Sequence, residues 1–288
     1  MIQARACRLE RPVHIAMKFD IQVAEDFTPE GEMYLVMEMP HLYQIKLNGR
    51  DVPNTDAGYY RDRSFRKIDI RGYLKPGLNE LYLETDFSQD PEVYEQLKKA
   101  LVFEAEKNKL TYNQEIEAVY LVGDFGVCTP GTFTKLPRDA QRYSGDFIIS
   151  KPRAEVDIKN LTTQGFPFYS GRIRLAKSIT LDPGEVQKRS FKLKKRLATI
   201  VGLWVNGKKA AQWFWGPYEA NLEGLLQPGE NIVEIELIGN LRNLLGPHHL
   251  EQGESYAVAP PSFFKEANVW GHQPWNDDYC FVDFGVEI

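Results

Sequence analysis

Two turn signals set between alternating strands constrain the fold of this chain more than any other feature of its sequence. In Ile232–Gly239, apolar residues alternate with glutamates, which is the period of two of an antiparallel strand with one buried face. Asn206-Gly207 is typical of a tight hairpin turn, in which both residues need positive φ. Pro228-Gly229 favours a second, different turn. The pattern predicts half-buried antiparallel strands joined by short turns.

A weaker copy of this pattern lies upstream. Asn48-Gly49 matches Asn206-Gly207, and the run Gly-Tyr-Leu-Lys-Pro-Gly at 72–77 matches Gly-Leu-Leu-Gln-Pro-Gly at 224–229. Because a repeated plan of this length is the signature of a duplicated structural unit, the sequence predicts two similar domains in tandem.

The strand and turn signals recur along most of the chain, which is typical of all-β sandwiches or barrels. We therefore expect two β-sandwich domains, one over residues 1–152 and one over 153–288. The first domain carries an exception. Ser88-Gln89-Asp90-Pro91 is a helix start, and apolar residues then recur at helical spacing. This predicts one amphipathic helix at about 91–107.

The same residues carry a resemblance to known glycoside hydrolases. A strand ending in Asn-Gly, an aromatic loop, Pro-Gly and an alternating strand resemble the sugar-binding jelly-roll domain of family 2 glycoside hydrolases, and more generally the galactose-binding-like sandwich. Residues 165–171, Pro217-Tyr218 and the run Asn-Leu-Arg-Asn-Leu-Leu-Gly-Pro-His-His at 240–249 are similar to the C-terminal region of α-L-rhamnosidase-like enzymes. The resemblance implies two tandem jelly-roll sandwiches. In that family a separate barrel domain performs the chemistry, and no part of this sequence resembles one.

Composition excludes several classes of partner. The net charge of −5 and the pI near 5.7 argue against nucleic acid, whose binders carry basic patches. Three widely spaced cysteines form neither a disulfide framework nor a zinc ribbon. No apolar run is long enough to span a bilayer, so no membrane partner is expected. The N-terminus lacks the apolar core of a signal peptide. Either the protein stays inside the cell or the chain is a fragment whose export signal lies upstream; a fragment or an unusually short relative is favoured, and the compartment is unknown.

The sequence contains none of the common catalytic motifs. Carboxylate pairs that could serve a glycosidase are Asp56 with Asp62 and Asp277 with Asp278, although acidic residues are also common in turns. Sandwiches of this type often hold a structural Ca²⁺ with loop oxygens, and no acidic loop here has a spacing that indicates one.

Aromatic residues give the stronger indication of function. All five tryptophans lie in the second half, and we expect Trp204, within a strand, to be in the core. The other tryptophans lie in loops. A sugar offers C–H faces to aromatic rings and hydroxyl groups to polar side chains. The residues predicted to bind carbohydrate are Trp213, Trp215, Tyr218, Arg242, Asn243, His248, His249 and Trp270.

These observations predict a non-catalytic carbohydrate-binding or accessory module related to glycoside hydrolases. Its expected partners are an oligosaccharide or polysaccharide and a catalytic glycosidase domain. One alternative is a glycoside hydrolase of α-L-rhamnosidase type, active when a catalytic domain completes it. The other alternative is a protein-interaction scaffold in which the aromatic residues seal the sandwich or contact another domain.

Overall fold

The computed structural model describes residues 2–186, 189–263, 265 and 274–288. The chain is mostly β, with 40% of residues in strands and 13% in helices, as the strand pattern predicts. It divides into two compact units. The first unit is Met1–Phe125 with Ile148–Lys151, and the second is Gly126–Phe147 with Pro152–Ile288.

Nine strands belong to the first unit. Eight of them precede residue 125: β1 (Val13–Val23), β2 (Met33–Met37), β3 (Gln44–Leu47), β4 (Arg50–Asp51), β5 (Asp56–Tyr60), β6 (Asp62–Asp69), β7 (Gly77–Phe87) and β8 (Tyr120–Gly123). The ninth is β12 (Ile148–Ser150). The helices of the first unit are α1 (Ile2–Cys7) and α2 (Pro91–Val102), with 3-10 turns at Pro40–Leu42 and Glu104–Lys109.

The remaining strands, apart from β12, lie in the second unit. In chain order they are β9 (Gly126–Cys128), β10 (Thr132–Leu136), β11 (Ala140–Ser144), β12 (Ile148–Ser150), β13 (Arg172–Leu181), β14 (Ser190–Lys192), β15 (Lys195–Arg196), β16 (Ile200–Val205), β17 (Lys208–Trp213), β18 (Glu219–Asn221), β19 (Gly229–Ile238), β20 (Tyr279–Val282) and β21 (Val286–Glu287). The unit also has α3 (Arg242–Leu245) and 3-10 turns at Thr162–Gln164, Pro183–Glu185 and Pro260–Phe263.

The two units build their main sheet in the same strand order. In the first unit the order is β4-β3-β7-β1, and in the second it is β17-β16-β19-β13. The registers also agree, because Gln44 pairs with Glu84 as Gly202 pairs with Glu236. The repeat that the turn motifs predict therefore extends over four strands of each unit.

A second layer is also repeated in part. In the first unit β2 pairs with β6, and in the second β14 pairs with β18. The Ile70 amide donates to the Met33 carbonyl at 3.0 Å, and the Leu222 amide donates to the Arg189 carbonyl at the same distance. Beyond this pair the layers differ, since β6 and β2 continue into a four-stranded sheet β5-β6-β2-β8.

Each unit has its own hydrophobic core between these layers. In the first unit Ile45 and Leu83 of the main sheet belong to one cluster with Leu35 and Ile68 of the second layer. In the second unit one cluster joins residues of the main sheet to residues on the other side of the core. The main sheet contributes Val201, Leu203, Val205 and Leu237, and the other side contributes Leu193, Ala220, Leu222, Phe284 and Val286. The inward positions alternate along the strands, as burial of one face requires.

A buried asparagine and its partner Asn48 organise the turn region of the first unit. The Asn79 side chain is fully buried, and its Oδ1 accepts from the Asn48 side chain at 2.7 Å and from the Lys75 amide at 2.9 Å. Its Nδ2 donates to the carbonyls of Lys75 at 2.7 Å and Gly77 at 3.0 Å. The Asn79 side chain thereby forms hydrogen bonds with the backbone groups of the Pro-Gly turn at 75–77, where the regular hydrogen bonding of the sheet stops.

The second unit repeats this network atom for atom. Asn231 is also fully buried, and its Oδ1 accepts from the Asn206 side chain and the Gln227 amide, both at 2.9 Å. Its Nδ2 donates to the carbonyls of Gln227 at 2.7 Å and Gly229 at 3.0 Å. The positive φ values predicted for the Asn-Gly turns are present, at 55° and 74° in the first unit and 51° and 75° in the second.

Helix α2 is shorter than the sequence predicts. It begins at Pro91, as expected, but ends at Val102 rather than near residue 107, because Phe103 has an extended backbone with φ of −124° and ψ of 115°. The chain then continues as the 3-10 turn Glu104–Lys109. Helical spacing of apolar residues persists across this break, and for that reason the pattern alone placed the end too late.

We predict that Asn231→Ala lowers the free energy of unfolding by about 3 kcal/mol, because it strands buried backbone donors and acceptors. Urea unfolding followed by tryptophan fluorescence measures this change in the second unit, which holds every tryptophan. The control is Glu223→Ala, at an exposed position of the same unit, with an expected change of less than about 0.5 kcal/mol. Equal stability of the two variants would contradict the structural role of Asn231.

Candidate aromatic site

The predicted sugar-binding loop begins with a residue that the structure buries. Trp213 is the last residue of β17 and is only 5% exposed. Its ring stacks on Phe191 with centroids 6.0 Å apart, and its Nε1 donates to the Glu219 carbonyl at 3.3 Å. Both faces of a ring in this position pack inside the protein, so Trp213 offers no platform to a ligand.

The residues that follow Trp213 do form an exposed aromatic surface. Trp215 is 77% exposed, and its neighbour Phe214 is also exposed, with ring centroids 5.9 Å apart. The loop contains a cis peptide bond between Gly216 and Pro217. We call Phe214, Trp215 and Tyr218 the aromatic loop.

Arg196 holds the aromatic loop in place. Its guanidinium donates to the Phe214 carbonyl at 2.6 Å and also to the Thr199 carbonyl. The same group lies over the Tyr218 ring, 5.6 Å from its centroid. Since a planar guanidinium can bond carbonyl groups and cover an aromatic face together, Arg196 fixes the loop on which Trp215 is presented.

The other predicted polar residues lie elsewhere in the second unit and have structural partners. Asn243 is buried, donates to the Val282 carbonyl at 2.9 Å and accepts from the Val282 amide at 2.8 Å. The Arg242 side chain is largely buried and forms an ion pair with Glu254 at 2.7 Å. These two residues join the helix α3 to β20 and to the following loop rather than facing a ligand.

His248 is part of an aromatic cluster. Its ring lies between 5.7 and 6.0 Å from those of Phe168, Tyr279 and Phe281, and its Nε2 donates to the Asn243 carbonyl at 2.8 Å. Burial lowers the pKa of His248 to about 4. The residue is therefore neutral at pH 7, with a role in packing.

His249 supports the neighbouring loop. It stacks on Trp275 with centroids 4.2 Å apart, and its Nδ1 lies 3.0 Å from the Asn276 carbonyl. Trp270, the remaining predicted residue, lies outside the described residues. The structure thus places Trp215 and Tyr218 together in one loop, whereas the described residues of the 242–249 run have the partners given above, none of which belongs to that loop.

The acidic residues proposed for an enzyme have turn and ion-pair roles. The Ser64 backbone amide and hydroxyl bond Asp62 at 2.9 Å and lower its pKa. Lys265, 2.7 Å away, and Trp275 lower the pKa of Asp277. Asp56 forms an ion pair with Arg66. A glycosidase acid needs a raised pKa, which is the opposite of what Asp62 and Asp277 have.

Within the described ranges, no group of three His, Cys, Asp or Glu side chains is arranged to hold a metal ion. Among the same residues, no helix is long and apolar enough to cross a membrane.

Trp204 is not in the core, contrary to the sequence prediction. The inner face of β16 is taken by Val201, Leu203 and Val205, which leaves Trp204 on the outer face, partly exposed. The alternation along the strand predicts this placement, because the side chain of Trp204 points to the opposite face from those of Val201, Leu203 and Val205.

Comparisons with known proteins leave the family of this chain open. No protein-family model matches it, and no curated protein matches it. Solved structures that it resembles include a rhamnosidase from Novosphingobium sp. PP1Y, with 14% identity, a TM-score of 0.30 and coverage of 97% of this chain and 26% of that one. An α-L-rhamnosidase from Streptomyces avermitilis has 10% identity, a TM-score of 0.29 and coverage of 79% and 22%. The chain spans about a quarter of the length of these structures.

We predict that stability falls as the pH drops from about 6.5 to 4. The folded pKa of His248 is depressed, so the unfolded state binds a proton in this window that the folded state does not. The loss should reach at most about 3 kcal/mol. Urea unfolding at pH 7 and 4.5 measures it, and His248→Gln, which keeps a donor for Asn243, should flatten the dependence. An equally steep dependence in the variant would rule out His248 as the cause.

Proposed function

We propose that this chain is a non-catalytic carbohydrate-binding module, accessory to a glycoside hydrolase, and that each unit is a jelly-roll sandwich of galactose-binding-like type. The observation that carries the proposal is the exposed Trp215, held beside Phe214 on a loop that Arg196 fixes. An exposed indole on a fixed loop suits the C–H face of a sugar ring, since its binding face is present before the ligand arrives.

The repeated framework supports the sandwich assignment. Each unit contains four neighbouring main-sheet strands in the same order and a second layer that shares its core. Two layers around one core are the defining arrangement of a sandwich.

The acidic residues support a binding role over catalysis. Asp62 and Asp277 have lowered pKa values, so both are ionised near neutral pH and neither suits the acid of a glycosidase. In this proposal a separate catalytic glycosidase domain performs hydrolysis, and the module binds the oligosaccharide or polysaccharide near it.

A second candidate, a protein-interaction scaffold, has its own observation. Leu101, Val102 and Phe103 are consecutive and all strongly exposed at the end of α2. Consecutive exposed apolar residues are costly for solubility unless a partner covers them. This surface suits a contact with another domain, and a module that binds carbohydrate can also carry it.

We predict that Trp215→Ala weakens binding to a polysaccharide at least tenfold, because it removes the main stacking surface. Affinity electrophoresis through gels containing single plant or microbial polysaccharides measures the retardation of the wild-type protein and the variant. Tyr256→Ala is the matched control, since Tyr256 is another strongly exposed aromatic residue of the second unit. Wild-type binding that survives Trp215→Ala, or falls equally in Tyr256→Ala, would contradict the loop site.

A further inference from the structure

The outer face of the main sheet in the second unit carries an indole ring laid against the backbone. Trp204 of β16 lies over Gly202, two residues earlier in the same strand, and a Cβ at position 202 would overlap the ring. Glycine inside a strand weakens the strand, and it often marks a place where another group must approach closely. Here the group that approaches Gly202 is the Trp204 indole of the same strand.

The first unit shows that the fold does not require this arrangement. The positions of Gly202 and Trp204 in its main sheet are occupied by Gln44 and Lys46, at the same distance before the Asn-Gly turn. Their registers agree, since Lys46 pairs with Tyr82 and Trp204 pairs with Glu234. One framework thus tolerates ordinary polar residues at both positions, so the Gly–Trp pair needs an explanation beyond folding.

Charged groups surround the indole on the same face. The Arg174 guanidinium lies over the ring, 4.4 Å from its centroid, and donates to Glu236 at 3.1 Å. The Glu236 side chain is only 7% exposed, although it points away from the core. Lys209 also lies over the ring, at 5.8 Å, and Glu234 lies 3.8 Å from Arg174.

These groups together have the chemistry of a site for a neutral polyhydroxylated ligand. Arg172 lies 3.8 Å from Glu236, so the carboxylates of Glu234 and Glu236 stand among three cations, Arg172, Arg174 and Lys209, and the net charge around the indole is small. Carboxylates accept from hydroxyl groups, guanidinium and ammonium groups donate to them, and an indole packs against C–H groups.

We infer that the outer face around Trp204 is a second carbohydrate-binding site, for a neutral oligosaccharide, an inference that rests on the proposed function. The sugar packs on the part of the indole that Arg174, Lys209 and Gly202 leave uncovered, while Arg174 and Glu236 contact its hydroxyl groups. Two sites on one unit would strengthen binding to a polysaccharide, because the second contact is made within the same complex.

The test exchanges the second-unit residues for those of the first unit. The variant Gly202→Gln with Trp204→Lys carries side chains that the same framework already accommodates, and its circular dichroism and urea midpoint verify folding. Isothermal titration with a panel of neutral hexasaccharides measures the number of sites. The control is Lys46→Ala, at the equivalent position of the first unit.

We expect two sites in the wild-type protein and in the Lys46→Ala control, one in the exchanged variant and one in Trp215→Ala. Two sites that persist in the folded exchanged variant, or tighter binding of acidic than of neutral hexasaccharides, would overturn the inference. If only the exchange abolishes binding, the loop site is wrong and the sheet site stands. If only Trp215→Ala abolishes binding, the sheet site is wrong and the loop site stands. A wild-type protein that binds no member of the panel would overturn both.

Discussion

The hydrogen bonds of two buried asparagines are the interaction on which both units depend. Asn79 and Asn231 each connect an Asn-Gly turn to a Pro-Gly turn, and they satisfy backbone groups that would otherwise be buried without partners. An amide side chain suits this position because it both donates and accepts, and neither a carboxylate nor an aliphatic residue can replace it. The network fixes where the central strands of each main sheet begin, and therefore which residues face the core.

The sequence indicated much of this framework. The Asn-Gly and Pro-Gly signals are local, and the geometry that they require follows from backbone sterics, so the turns and the alternating strands between them were predictable. The buried asparagine of each network was visible only as the Asn of Leu78-Asn79 and Glu230-Asn231, with no sign of its burial. The end of α2 was not predictable, because the extended backbone of Phe103 has no marker such as glycine or proline.

The candidate site was predictable only in part, and for a physical reason. Residues of one loop stay together in any fold, so Trp215 and Tyr218 remained neighbours. Asn243 and His248 were chosen for their chemistry, but the same hydrogen-bonding capacity that suits a sugar also suits backbone carbonyls, and the fold uses it there. Trp213 and Trp204 exchanged their expected places, since strand parity, rather than residue type, decides which indole is buried.

The repeat also separates structure from function within a single chain. Positions that are alike in both units serve the framework, whereas positions that differ, such as Gln44 against Gly202, are free to carry binding. On this account the ligand-binding surfaces lie in the second unit, on exposed tryptophans, and the buried Trp213 takes no part.

The most direct measurement is a two-dimensional ¹H–¹⁵N spectrum of the indole groups of the full chain, titrated with a neutral oligosaccharide. We expect saturable shifts of the Trp215 and Trp204 signals, assigned by single substitution, and an unmoved Trp213 signal, whose Nε1 stays bonded to the Glu219 carbonyl. Unchanged Trp215 and Trp204 signals across neutral and acidic sugars would contradict carbohydrate binding by these two tryptophans of the second unit.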